Sequence, residues 1–237
     1  MKRIFFLILG TVCLASCTYH GQINPHNNFK NTHSKIIPVS VLLRTDTAFP
    51  KEFLITEADN KGTQAFVLDI QDRVLIDITN ALGTLFQTVD AGKGSLQNQY
   101  DYVAIASLEA SLTRTHCEGE LAKWAMAHEG LCTLLKISFY HPGKEEPFWT
   151  VSATRWREFR TPGFASSVRW FNQHTYIFSP VLTPIYMQSQ GHKLRRQFEN
   201  NLTEILQDIL TQIESTRTRF VQENRSFKDT NVQNYVE

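Results

Sequence analysis

The chain has 237 residues, with 24 lysines and arginines against 23 aspartates and glutamates, so its formal net charge is +1. This length is enough for one domain with a sizeable core. The balanced charge argues against nucleic acid as a partner. Aromatic residues make up 11% of the chain, which is ample material for a core or an interface.

The N-terminus has the three-part layout of an export signal. Lys2 and Arg3 form a positive start, residues 4–14 are almost all apolar, and Ala15 and Ser16 are small. This layout is typical of a secretory signal peptide. The apolar part covers about 11 residues, fewer than the roughly 20 that a membrane-spanning helix needs. A buried or membrane-anchoring N-terminal helix is the alternative.

The stretch LASC, residues 14–17, resembles the lipobox of bacterial lipoproteins. The resemblance implies cleavage before Cys17, which makes residues 1–16 a signal peptide, and acylation of Cys17 with fatty-acid chains such as palmitate. Residue 18 is Thr rather than Asp, which resembles the sequences sorted to the outer membrane. We therefore expect a lipid anchor at the periplasmic face of the outer membrane. Several buried acyl chains hold a protein stably.

Residues 17–35 are predicted to be the lipidated cysteine and a flexible tether, because residues 18–35 are polar and show no hydrophobic period. The run IPVSVLLRT, residues 37–45, is β-branched and aliphatic and predicts a strand. Residues 46–64 are mixed and polar and predict a loop, in which residues 53–56 could form a short strand.

A helix is predicted after Asp69 or Asp72, either of which could cap it. The apolar residues that follow have helical spacing, which predicts one buried face. They are Val74, Leu75, Ile78, Ala81, Leu82, Leu85 and Phe86. The glycines of DAGKGS, residues 90–95, end the helix. This stretch lacks the glycine spacing of a phosphate-binding loop, so it predicts a plain loop.

Three strands are predicted next, over residues 102–112, 131–140 and 148–155. Apolar residues alternate along each, which predicts one buried face and one partly open face. Cys117 and Cys132 bracket the first connection. A cysteine pair in an oxidising compartment predicts a disulfide. Free thiols are one alternative. A zinc site with His116 and His128 is another, but the spacing does not match the usual zinc patterns, so no metal is predicted.

Residues 156–187 combine dense aromatics, interleaved arginines and three prolines. One interpretation is an insertion whose aromatics pack on the core. The other is a partner-binding surface, because Trp, Tyr and Arg dominate the energetics of interfaces. The candidate partner-binding residues are Trp156, Arg160, Trp170 and Phe171.

A long amphipathic helix is predicted over residues 193–221, followed by a polar tail over residues 222–237. Its apolar stripe consists of Leu194, Phe198, Leu202, Ile205, Leu206, Ile209, Leu210 and Ile213. Residues 36–221 are thus expected to be a single α+β domain.

The chain shows no complete catalytic motif. His128-Glu129 lacks the second histidine of a zinc-hydrolase helix, and the acidic pairs Glu118/Glu120 and Glu145/Glu146 are more typical of solvated turns. We expect no catalytic residues and no cofactor. An envelope hydrolase acting on glycan or lipid is the alternative function.

The order of elements predicts a two-layer α+β sandwich. In it, a small, mostly antiparallel sheet packs on two amphipathic helices, with the aromatic-rich insertion before the C-terminal helix. This layout, with LASC, IPVSVLLRT, YDYVAIASLEASL and ILQDILTQIESTRTRFV, resembles periplasmic lipoproteins of the YajG type and, more loosely, LptE. The resemblance implies a binding or assembly role with an envelope protein partner, in a cell-envelope, transport or secretion complex.

Overall fold

The structure is a computed structural model that describes residues 18–24, 29, 36–59, 62–92, 99–113, 130–158 and 179–233. These residues form eight strands and three helices. The elements are β1 (Thr18–Gln22), β2 (Ile37–Thr45), β3 (Glu52–Asp59), β4 (Gly62–Asp69), α1 (Gln71–Leu82), β5 (Phe86–Ala91), β6 (Tyr102–Thr113), β7 (Gly130–Tyr140), β8 (Trp149–Glu158), α2 (Ser179–Ser215) and α3 (Arg217–Gln233).

Five strands form the larger sheet, in the order β5-β2-β6-β7-β8. β2 runs parallel to both of its neighbours, whereas β6, β7 and β8 pair antiparallel. The register aligns Leu43, Ala104 and Phe139 in one row across three strands, and all three are fully buried. Because side chains alternate between the two faces of a sheet, such rows define an inner, apolar face.

The other three strands form a smaller sheet in the order β1-β4-β3, with β1 parallel and β3 antiparallel to β4. Its inward residues Phe53, Phe66 and Leu68 are buried. The ring of Phe53 stacks on that of Phe198 in α2, with 6.0 Å between centroids. The smaller sheet therefore packs against the middle of α2.

α2 lies along the inner face of the larger sheet. Its inward residues recur every three or four positions, so they form one apolar stripe. As predicted, the stripe consists of Leu194, Phe198, Leu202, Ile205, Leu206, Ile209, Leu210 and Ile213, each at most 5% exposed. α1 contacts both β5 and α2 and completes this layer.

α3 follows a one-residue break at Thr216, whose hydroxyl donates to the carbonyls of Gln212 and Ile213. It docks through the fully buried ring of Phe220, whose centroid lies 5.0 to 5.7 Å from those of five other rings. These rings belong to Phe86, Tyr102, Phe139, Phe148 and Trp149. The hydroxyl of Tyr102 also donates to the Phe220 carbonyl at 2.6 Å.

The predicted α+β sandwich is confirmed, and strand β2 has the predicted bounds. Three details differ from the expectation. There are two sheets rather than one, and a third helix joins the predicted two. The strand pairs are evenly divided between parallel and antiparallel rather than mostly antiparallel.

The boundaries of several elements also differ from the prediction. Thr18–Gln22, expected in the tether, is strand β1, and the loop expected at 46–64 contains β3 and the start of β4. α1 ends at Leu82, and Phe86 starts a strand rather than extending the helix. α2 begins at Ser179, earlier than residue 193, and α3 continues to Gln233 through much of the expected polar tail.

Candidate functional site

The structure describes two of the predicted site residues. Cys132 lies half-buried on β7 and Trp156 half-buried on β8, directly opposite each other in the register. The other predicted site residues lie outside the described residues, so the Cys117–Cys132 disulfide stays a prediction. They are Cys17, Cys117, Arg160, Trp170 and Phe171.

Trp156 belongs to the outer face of the larger sheet, opposite the face that α2 covers. Its indole lies over Gly130: a Cβ added at Gly130 would come within 2.1 Å of the Trp156 ring. A glycine is thus required there for the ring to lie flat on the strand. The sheet fixes the position of this candidate partner residue through that contact.

On the inner face, β8 is joined to α2 by a group of polar contacts. Arg155 pairs with Asp208 and Glu204, and Arg157 pairs with Glu204. Beside them the buried amide of Asn201 donates to the Leu131 carbonyl at 3.2 Å and to the Thr133 hydroxyl at 3.3 Å. These polar contacts lie where the apolar rows of the inner face end. They determine which part of α2 lies over β8.

β1 is held against α2 by a close contact between Tyr19 and Gly191. A Cβ added at Gly191 would lie 2.3 Å from Cγ of Tyr19, so the ring occupies the space that any other side chain would fill. The Tyr19 ring also meets Phe66 at 6.3 Å and His192 at 5.7 Å between centroids. Burial raises the pKa of Tyr19, while Arg195 lowers it and Glu199 raises it.

A second contact continues this attachment after the strand. Ile23 is 2% exposed, and the backbone N–H of Asn24 donates to the Glu199 carboxylate at 2.8 Å. Tyr19 thus lies beside Gly191, and Asn24 lies beside Glu199. Chain direction is therefore the same in β1 and α2.

Several strands and helices start or end at one end of the molecule, which we call the Thr18 end. β1 and α2 both start towards it, and so does β4, which is parallel to β1. β8 ends towards it, because Ser152 contacts Gln212 whereas Glu158 contacts Gln197, closer to the start of α2. The 159–178 connection, with three of the candidate partner residues, therefore leaves and rejoins the described structure towards this end.

Two of the residues considered for catalysis are described, and they do not form a cleft. Glu145 and Glu146 are exposed in the turn after β7. Glu118, Glu120, His116 and His128 lie outside the described residues. Within the described residues, no group of three or more His, Cys, Asp or Glu side chains could hold a metal ion.

The contact between β1 and α2 was missed by sequence reasoning. Gly191 could have indicated close approach of another group only if the helix had been predicted to include it, and the predicted helix began after it, at residue 193. Its partner could not be identified, because Tyr19 lies in a polar stretch about 170 residues earlier in the chain.

No helix of the described residues is both long and apolar enough to cross a membrane. The chain matches no protein-family model, and no curated protein.

Among solved structures, the chain is similar to a protein from Xanthomonas campestris, at 10% identity and a TM-score of 0.36, covering 77% of this chain and 98% of that one. It is also similar to a minor lipoprotein from Acinetobacter baumannii, at 9% identity and a TM-score of 0.28 over 68% and 94% of the two chains. A third is rare lipoprotein B from Shewanella oneidensis, at 14% identity and a TM-score of 0.24 over 69% and 97%. With TM-scores this low, function has to be argued from the chain's own residues.

Proposed function

We propose that this chain is a lipoprotein of the bacterial envelope, anchored by acyl chains on Cys17 at the periplasmic face of the outer membrane. Its folded domain acts as a binding or assembly component of a cell-envelope, transport or secretion complex, without a catalytic step or a cofactor. The observation that carries the proposal is the stretch LASC, which closes an apolar, signal-like segment one residue before the first strand.

The anchor is tested by growing cells with a labelled fatty acid. The wild-type chain is expected to incorporate the label, and Cys17→Ser to incorporate none, because the thiol that would be acylated is gone. Cys13→Ser is the matched control, since this cysteine belongs to the same apolar segment but precedes the cleavage point. Equal labelling of wild type and Cys17→Ser would contradict the proposal.

The proposed partner surface comprises Trp156, Arg160, Trp170 and Phe171, beside a disulfide between Cys117 and Cys132. Trp156 supports it, because its half-buried indole lies on the outer face, on the side of the sheet away from the helices. Large aromatic residues and arginine are the commonest energetic centres of protein interfaces.

The surface is tested by a photo-activated cross-linker placed at residue 170 in the native envelope. We expect one specific cross-linked protein that Trp156→Ala weakens. A cross-linker at Ile76, an exposed position on α1, is the control and should not attach that protein. The same set of products from both positions would contradict the surface.

A further inference from the structure

We infer that the first turns of α2, residues 179–188, form a second membrane contact that lies in the lipid headgroup region beside the acyl anchor. This inference rests on the proposed acylation of Cys17. It adds an interaction surface to the chain and commits to one partner, a phospholipid bilayer surface.

The folded domain begins close to the proposed anchor. β1 starts at Thr18, the residue after Cys17, and is paired with β4 from its first residue. Tyr19 is fitted against Gly191, and Ile23 is buried. A chain held in this way has no free tether between lipid and domain, so the Thr18 end must face the membrane.

The start of α2 extends past the proposed anchor towards the membrane. Gly191 lies beside Tyr19, and α2 begins at Ser179. The helix before Gly191 therefore reaches about 18 Å back from the level of Tyr19, at 1.5 Å per residue. Cys17 precedes Tyr19 by two residues in the sequence, so the reach of the chain keeps it within about 7 Å of Tyr19. The start of α2 thus lies on the bilayer side of the acylated residue.

The composition of the start of α2 suits contact with lipid. Residues 179–192, SPVLTPIYMQSQGH, contain no Asp, Glu, Lys or Arg. Ile185 is 45% exposed, although the same helix further on buries its apolar residues. The exposed Arg196 follows, while Arg195 is paired with Glu199 on the same helix. An uncharged apolar helical segment followed by an exposed basic side chain suits the boundary between acyl chains and anionic headgroups.

The β3–β4 hairpin lies at the same end. Thr18 pairs with Ala65, whereas the last pair of the hairpin is Asp59 with Gly62. The hairpin therefore extends three residues beyond Thr18, about 10 Å at the rise of a strand. The anchor thus lies between two projecting elements, which would hold the domain in one orientation on the bilayer.

The test uses the mature chain with Cys17→Ser, so that any membrane binding comes from the protein surface alone. Its partition into vesicles of phosphatidylethanolamine and phosphatidylglycerol is measured by flotation. We expect binding that falls about tenfold or more with Ile185→Glu, because burying one large aliphatic side chain is worth at least that factor. Ile76→Glu, at 42% exposure on α1, is the matched control and should leave binding unchanged.

Two results would overturn the inference: no flotation of the Cys17→Ser chain, or equal flotation of the Ile185→Glu and Ile76→Glu variants. If Ile185→Glu leaves flotation unchanged but removes a cross-link to an envelope protein, the segment binds protein and the inference is wrong. Fatty-acid labelling of wild-type chain is measured separately. Loss of labelling with intact flotation would therefore defeat the proposed anchor alone.

Discussion

At the scale of single residues, Gly191 is a position where the structure depends on the absence of a side chain. Alanine is normally favoured over glycine inside a helix by about 1 kcal/mol. Here the added Cβ would meet Cγ of Tyr19, at the base of the ring, which cannot move away unless β1 also moves. The steric cost should therefore outweigh the gain in helix propensity.

We predict that Gly191→Ala lowers the free energy of unfolding by about 1 to 3 kcal/mol, the usual cost of overpacking. Urea denaturation measures it. The control is a double-mutant cycle with Tyr19→Ala: once the ring is gone, Gly191→Ala should be neutral or stabilising. If Gly191→Ala is as destabilising without the ring as with it, the proposed contact is wrong.

His141 gives a prediction of pH dependence. Burial lowers its pKa, while Glu223 raises it and Lys144 lowers it further. The unfolded chain, with a His pKa near 6.5, then binds more protons than the folded one just below that pH. The stabilisation that comes from neutral His141 is fully present above the pKa of this histidine in the unfolded chain. It is lost as the pH falls from about 6.5 towards the lower pKa in the folded chain.

We therefore predict that the free energy of unfolding decreases between pH 7 and pH 5, and that this decrease is smaller in His141→Gln. Denaturant titrations at a series of pH values measure both slopes. The ring of His141 faces Tyr102 and Phe148, and Glu223 is 3.9 Å away. An identical slope in the variant would show that other groups cause the dependence.

At the scale of elements, α3 packs on the core through the buried ring of Phe220, and Arg217, Arg219 and Asn224 add hydrogen bonds. We predict that Phe220→Ala costs about 3 to 5 kcal/mol, the usual range for removing a buried phenyl ring. Hydrogen exchange should accelerate over residues 217–226 more than in α2, because α3 loses its principal anchor. Val221→Ala, at the half-buried neighbour, is the control. Uniform acceleration across both helices would contradict this view of α3.

The polar contacts between β8 and α2 should differ in energy according to burial. Asn201 is fully buried, so Asn201→Ala leaves the groups it bonds without a partner and should cost about 1 to 3 kcal/mol. The side chains of Arg155 and Asp208 are 37% and 40% exposed, so Asp208→Asn should cost at most about 1 kcal/mol. Equilibrium unfolding of both variants checks the order, and a larger loss from Asp208→Asn would reverse it.

Local patterns predicted the central elements well because their buried apolar residues are visible in the sequence as strand-like runs or at helical spacing. β6, β7 and β8 alternate, β2 is a β-branched and aliphatic run, and the stripe of α2 recurs at helical spacing. β1 was missed because its stretch is polar and it pairs with β4, 47 residues later, and of the β3–β4 hairpin only a possible short strand at residues 53–56 was predicted. The start of α2 was placed too late because Pro180 and Pro184 suggest a break, although proline is tolerated in the first turn of a helix, where Pro180 lies.

At the scale of the whole molecule, the site could be predicted only in part. The proposed anchor at Cys17 comes from a short contiguous pattern, so it could be proposed from the sequence alone. The common location of β1, the hairpin and the start of α2 was not, because it depends on how two sheets share one helix. That arrangement replaces the start of the expected tether with a strand of the folded domain.

The most direct test of the proposed anchor is the mass of the N-terminal peptide of the protein extracted from its native membrane. We expect a peptide that begins at Cys17 and carries fatty-acid chains, followed at once by the residues of β1. A peptide that begins at Met1, or at any residue without lipid, would contradict it.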